Sequence, residues 1–85
     1  MVHIHVRNRN GRKKISIVEG LTSDMVDMQF ILRALKKNFQ CNGSVIIDSM
    51  KGQILQLSGD QRENIRKFLI DQEICRSDQI VIHGG

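Results

Sequence analysis

Val2, Ile4 and Val6 alternate with His3, His5 and Arg7, and Ile15 and Ile17 resume the same period of two after a short polar interval. A period of two sends successive side chains to opposite faces, so the chain is predicted to open with two antiparallel strands. Between them stands Asn10-Gly11. Both residues tolerate the positive φ of a tight hairpin turn, which makes this pair the strongest local turn signal in the chain. From Asp24 to about Phe39 the period lengthens. Met28, Ile31, Leu32, Leu35 and Phe39 fall at helical spacing, with Arg33, Lys36 and Lys37 toward the other side. Asp24 or Ser23 is expected to cap this helix, and Asn42-Gly43 to supply the left-handed stop beyond it.

Ser44 to Ile47 and Gln53 to Leu57 predict a second strand pair, joined by the turn residues Asp48-Ser49-Met50-Lys51-Gly52. Asp60 followed by Glu63 resembles a capping box for a second helix, whose apolar face is Ile65, Phe68 and Leu69. Gln79 to His83 alternates again and predicts a closing strand, with Gly84-Gly85 as a loose end. The predicted order is ββαββαβ. Each helix links two strands, and right-handed crossovers would put both helices on one face. The expected fold class is therefore α+β: a two-layer α/β sandwich with a mixed five-stranded sheet and two helices packed on one face. No proline, linker or repeat divides the 85 residues, which read as one domain, 1–85, with one modest core.

Composition adds a preference for acidic partners. The formal net charge is +4 and the isoelectric point near 9.5. That excess is modest, and its placement carries more information than its size. Arg7, Arg9, Arg12, Lys13 and Lys14 are five of 13 Lys and Arg residues and all surround the predicted turn. A tip built this way projects cations clear of the body, where they can meet a polyanion without desolvating the core. The alternative is a solvated cationic turn with no fixed partner. No apolar run has membrane-spanning length, and Met-Val-His-Ile-His opens neither a signal peptide nor a transit peptide. A cytoplasmic protein with no membrane partner is expected.

Other chemistry is poorly supported. Cys41 and Cys75 announce neither a disulfide framework nor a zinc knuckle, although spacing alone leaves a single bridge open. His3 and His5 share a strand face, and His83 could lie near them, so zinc held with Cys41 or Cys75 is an alternative. No short ligand pair is repeated, and the preferred reading has no metal and no cofactor. No nucleophile has an identifiable base and orienter, so the chain does not read as an enzyme. It lacks Trp and Tyr, and its three Phe residues sit in helical patterns that predict core packing. Recognition through exposed aromatic platforms is therefore not expected.

Four separated motifs resemble one family along essentially the whole chain. They are Arg9-Asn10-Gly11-Arg12-Lys13, Leu35-Lys36-Lys37-Asn38-Phe39-Gln40-Cys41-Asn42-Gly43-Ser44-Val45, Gln56-Leu57-Ser58-Gly59-Asp60-Gln61-Arg62-Glu63-Asn64-Ile65, and Val81-Ile82-His83-Gly84. They are similar to eukaryotic translation initiation factor 1. The resemblance implies a non-enzymatic factor on the small ribosomal subunit near the peptidyl site. It would bind rRNA close to mRNA and initiator tRNA, promote scanning and accurate start-codon selection, and leave on correct pairing. Other initiation factors (factors 1A, 2, 3 and 5) are the implied protein partners, and a monomer is expected. The alternatives are an RNA-binding regulator or reinitiation-type factor of the same fold, or a module recruiting initiation factors.

Carried over by position, the family's basic hairpin loop corresponds to Asn8 through Lys14. Arg7, Arg9, Asn10, Gly11, Arg12, Lys13 and Lys14 become candidate rRNA contacts, and Arg33, Lys36 and Lys37 match a second basic surface. The segment Asp48, Ser49, Met50, Lys51 and Gly52 matches a loop that faces initiator tRNA; an ordinary hairpin turn is the alternative. Asp60, Gln61 and Arg62 match a Gly-Asp-Gln-Arg segment, with helix capping by Asp60 and a ribosome or factor contact by Gln61 and Arg62. Two features depart from the family. This chain begins almost at its first strand where relatives carry a tail, and Gly84-Gly85 replaces the usual Gly-Phe.

Overall fold

The computed structural model describes residues 1–22 and 24–84. The strands are β1 (Val2–Arg9), β2 (Lys13–Glu19), β3 (Gly43–Asp48), β4 (Gly52–Ser58) and β5 (Ile80–Ile82), and the helices are α1 (Met28–Phe39) and α2 (Arg62–Asp71). The sheet order is β3-β4-β2-β1-β5. Only β1 and β5 pair in parallel; the other neighbours are antiparallel. The predicted ββαββαβ order and the mixed five-stranded sheet under two helices are both present.

One face of the sheet is covered. Val2 and Ile4 of β1, Val18 of β2, and Leu55 and Leu57 of β4 join Met28, Ile31, Leu32 and Leu35 of α1 and Ile65, Phe68 and Leu69 of α2 in a single apolar cluster. Register explains the selection. Ile4 stands opposite Val18, and Val18 opposite Leu55, so these three form one row on the helix side. Each buried aliphatic side chain stabilises the fold by about 1.5–3 kcal/mol relative to an exposed one. The other face is open, and one of its rows runs His5, Ile17, Gln56, Ser44 across four strands.

Several boundaries differ from expectation. Helix α1 starts at Met28 and is capped by Asp27, whose Oδ1 accepts from the backbone N–H groups of Gln29 at 3.0 Å and Phe30 at 3.3 Å. Asp24 lies upstream of the helix in a turn, and Ser23 falls outside the described residues, as does Gly85 of the expected loose end. The left-handed stop is taken by Gln40, at φ 48°, and not by Asn42-Gly43. Gly43 instead opens β3 where the chain passes close to its neighbours: a Cβ there would stand 2.7 Å from the Gln56 carbonyl oxygen. Glycine is required here for close approach.

The start of α2 also differs. Its N-cap position is Gln61, whose own side chain makes no cap bond, while Asp60 Oδ1 accepts the Arg62 backbone N–H at 3.4 Å and the same carboxylate pairs with the Arg62 guanidinium. Residues Ser77–Gln79 form a short 3-10 turn, so the last strand is shorter than predicted. Cys41 is half-buried and Cys75 buried, and both are free thiols whose pKa values are pushed up, chiefly by burial.

Candidate nucleic-acid interface

The cationic turn is shorter and more firmly built than the sequence suggests. Asn8 stands opposite Lys14 and Arg9 opposite Lys13, leaving only Asn10, Gly11 and Arg12 outside the ladder. Asn10 has φ 52° and Gly11 φ 75°, the two successive positive values that the Asn-Gly pair supplies cheaply. The ladder carries Arg7, Arg9, Lys13 and Lys14 at fixed positions. All of these side chains, and Arg12, are exposed.

A buried hydroxyl fixes the base of this arm. Ser16 is fully buried, donates to the Gly59 carbonyl at 2.7 Å and accepts from the Gln61 backbone N–H at 2.7 Å. Beside it, the Gly59 N–H donates to the Lys14 carbonyl at 2.7 Å. The hairpin is thus tied to the segment between β4 and α2. Sequence reading missed Ser16 because Ile15 and Ile17 on either side of it mark the opposite strand face as the apolar one, whereas the register puts Ser16 with Val18 on the helix side.

The second basic surface lies alongside. Arg33 and Lys37 of α1 are exposed, and Lys36 is half-buried. All three border a depression that reaches Asn42 and Ser58, while Arg9, Lys13 and Lys14 border another that also reaches Ser58. The two depressions meet at a closed pair of hydrogen bonds: the Asn42 N–H donates to Ser58 Oγ at 3.0 Å and the Ser58 N–H to the Asn42 carbonyl at 2.8 Å. Two clusters distant in sequence thus flank one junction. Among the described residues, none of these hairpin or helix cations forms an ion pair; the pairs present are His5–Glu19, Lys51–Glu19, Arg62–Asp60 and Arg76–Asp78. Unpaired cations lose nothing intramolecular when they meet phosphate.

Of the remaining candidate segments, the Asp48–Gly52 loop lies at the other end of β4 from Ser58, and the Asp60–Arg62 segment adjoins the strip through the Gln61 bond to Ser58. Asp48 Oδ1 accepts from the N–H groups of Met50 at 2.8 Å and Lys51 at 3.0 Å, and these bonds hold its carboxyl below its ordinary pKa. Lys51 reaches back to Glu19 at 2.9 Å, and Gly52 takes φ 76°. Met50 at 91% exposure and Ile47 at 78% are what this tip presents outward. The Asp60–Arg62 segment is occupied internally: Arg62 donates to both Asp60 carboxylate oxygens at 2.9 and 2.8 Å and to the His83 carbonyl at 2.9 Å. It clasps the end of β5 to the start of α2. Gln61 is similarly engaged, donating through Nε2 to the Ser58 carbonyl and accepting from Asn64.

His3, His5 and His83 do gather on the open face. His3 Nδ1 and His83 Nε2 are 3.0 Å apart, and the His5 and His83 rings stack with centroids at 4.1 Å and an 8° tilt. Parallel stacking sets the ring nitrogens of His5 and His83 side by side instead of converging on a point, and the His5 Nε2 lies 3.6 Å from Glu19. Among the described residues no cluster of three His, Cys, Asp or Glu side chains could hold a metal ion, and no helix is long and apolar enough to cross a membrane.

The expectation that all three Phe residues are core is overturned. Phe68 is buried and Phe39 packs against the core, but Phe30 is 59% exposed. It satisfies a helical pattern only loosely, because its position on α1 faces away from the buried stripe.

The chain is similar to known proteins over nearly its whole length. A family model described as translation initiation factor SUI1 matches residues 1–75. Over 83 residues the chain is 48% identical to protein translation factor SUI1 homolog 2 of Arabidopsis thaliana, covering 98% of this chain and 73% of that protein. It is 45% identical over 84 residues to eukaryotic translation initiation factor eIF1 of Drosophila melanogaster, covering 99% and 76%. Against human eukaryotic translation initiation factor 1 the identity is 42% over 83 residues, covering 98% and 73%. The crystal structure of the C-terminal domain of human eIF2D has the same fold, with a TM-score of 0.83 over 93% of this chain and 40% of that chain, at 18% identity. With the family model spanning most of its length and relatives above two-fifths identity along nearly all of it, the chain belongs to the SUI1 family of translation initiation factors.

Proposed function

We propose that this chain binds the small ribosomal subunit near the peptidyl site, and there promotes scanning and accurate start-codon selection. The observation that carries this reading is the convergence of unpaired cations from the hairpin and from α1 on the Asn42–Ser58 junction. Arg7, Arg9, Arg12, Lys13 and Lys14, together with Arg33, Lys36 and Lys37, contact rRNA phosphates. Such contacts give affinity that is reversible and salt-dependent, as a factor that must leave requires. The protein acts as one domain, without enzymatic activity, in the cytoplasm.

The loop from Asp48 to Gly52 faces initiator tRNA. Its obstruction is steric: the Asp48 charge is directed onto its own backbone, whereas Met50 and Ile47 extend outward. Fully seated tRNA conflicts with this tip, and the conflict favours departure of the factor once a correct codon pairs. Other initiation factors share the same subunit surface.

The test is a reporter comparing AUG with UUG and poor-context starts, run in parallel with binding to purified small subunits. Supplying the protein should lower the near-cognate ratio, and replacing Met50 with Gly should raise it again while leaving subunit binding intact. Subunit binding without any change in codon ratio would move the protein to another step, such as reinitiation. Failure to bind small subunits would remove the proposal altogether.

A further inference from the structure

Phe30 is the one phenylalanine among the described residues that this fold leaves outside, at 59% exposure. Its position explains why. The buried residues of α1 are Met28, Ile31, Leu32 and Leu35, and at 3.6 residues per turn Phe30 lies roughly 150° from the middle of that stripe. No rotamer can return the ring to the core. Burial elsewhere would be worth about 1.5–3 kcal/mol, so the side chain is placed where folding gains nothing from its size.

The surroundings of the ring are cationic. Arg33 and Lys37 follow at i+3 and i+7 on the same outward side, about 4.5 and 10 Å along the axis. Both are exposed, and among the described residues neither has an acidic partner. Asp27, one turn before, is already committed to the N–H groups of Gln29 and Phe30. Arg33 and Lys37 also border the depression leading to Asn42 and Ser58, where the hairpin cations begin. An aromatic ring at the end of a phosphate-tracking strip is the arrangement by which proteins hold unpaired nucleotides.

We propose that Phe30 is a stacking platform for an unpaired base of a single-stranded RNA segment, whose phosphates run past Arg33 and Lys37 toward the Asn42–Ser58 junction. A duplex hides its base faces inside the stack, so only a single strand can use the ring. Purines, with the larger face, are preferred over pyrimidines. This inference rests on the RNA-binding reading above and adds to it a target that phosphate contacts alone do not distinguish.

The experiment measures anisotropy of labelled oligoadenylate, an abasic strand of equal length and a blunt RNA duplex, with the wild-type protein, Phe30→Ala and Phe30→Trp. Phe30→Ala should weaken oligoadenylate binding by about tenfold, within the range of a lost base stack, and leave the abasic strand and duplex unchanged. Phe30→Trp should retain affinity, with indole emission quenched by oligoadenylate and not by the abasic strand. Equal oligoadenylate affinity for wild type and Phe30→Ala, with duplex and small-subunit binding intact, overturns the stacking role alone and leaves the ring to a protein partner. Absence of binding to every RNA and to small subunits by the wild-type protein overturns the stacking role together with the reading beneath it.

Discussion

Ser16 Oγ lies 2.7 Å from the Gly59 carbonyl oxygen and 2.7 Å from the Gln61 backbone nitrogen, and it satisfies both while fully buried. Truncating it to Ala would leave a donor and an acceptor unpaired beneath the base of the cationic hairpin. An orphaned buried polar group costs about 1–3 kcal/mol. Ser16→Ala should therefore lower the unfolding free energy by that order, read as a lower urea midpoint with an unchanged m-value. An unchanged midpoint would mean that Gly59 and Gln61 find other partners.

The hairpin cations should act through phosphate number. Arg12, Lys13 and Lys14 are exposed and have no ion pair among the described residues, so replacing them with Ala removes no internal salt bridge. The triple variant should keep its melting temperature, bind small subunits more weakly and show a shallower salt dependence, by roughly one logarithmic unit of slope per lost contact. Parallel salt plots for variant and wild type would remove this hairpin from the rRNA surface.

Gly11 offers a cleaner test of the turn itself. It sits at φ 75°, and a Cβ added there meets nothing within 4 Å. Gly11→Ala therefore carries only the conformational cost of a positive φ, about 1 kcal/mol. A larger loss in chemical denaturation would point to a contact that the free chain does not make.

The fold was legible where periodicity is unambiguous and less so where one residue decides a boundary. Val2 and Ile4, and the Ile31-Leu32-Leu35 stripe, announce strand and helix because many positions agree, and all five are buried. The start of α1 depends on which of several acidic residues caps it, and Asp27 prevails by reaching two N–H groups. Asp60 carries the sequence pattern of a cap and does accept the Arg62 backbone N–H, but its shorter bonds go to the Arg62 guanidinium, a charge-assisted pairing that no capping pattern announces. The cationic hairpin was legible as a cluster. Its convergence with Arg33, Lys36 and Lys37 at Ser58 was not, because sheet order brings β4 against β2 and no local pattern encodes that neighbour.

The two ends of the aromatic scale should separate in stability. Phe68 is 7% exposed in the α2 face of the core, and Phe68→Ala should cost about 3–5 kcal/mol. Phe30→Ala, at an exposed helix position, should stay within about 0.5 kcal/mol of wild type. Comparable losses in urea denaturation would show that Phe30 belongs to the core after all.

The histidine stack makes stability depend on pH through His5. Its pKa lies below the ordinary 6.5, first because of burial and then because of the neighbouring His83; Arg7 and His3 act in the same direction, and Glu19 opposes them. The unfolded chain therefore binds a proton to His5 before the folded one does. Stability from this group is intact above 6.5 and is lost as pH falls through the lower folded value. Glu19 acts in a second, more acidic window: the Lys51 hydrogen bond holds its pKa below 4.5, and that contribution disappears as the carboxylate protonates. Melting temperatures recorded from about pH 8 downward should fall first just below 6.5 and again below 4.5. His5→Gln should flatten the first decline and spare the second, whereas a first decline of equal size in this variant would assign it to groups other than His5.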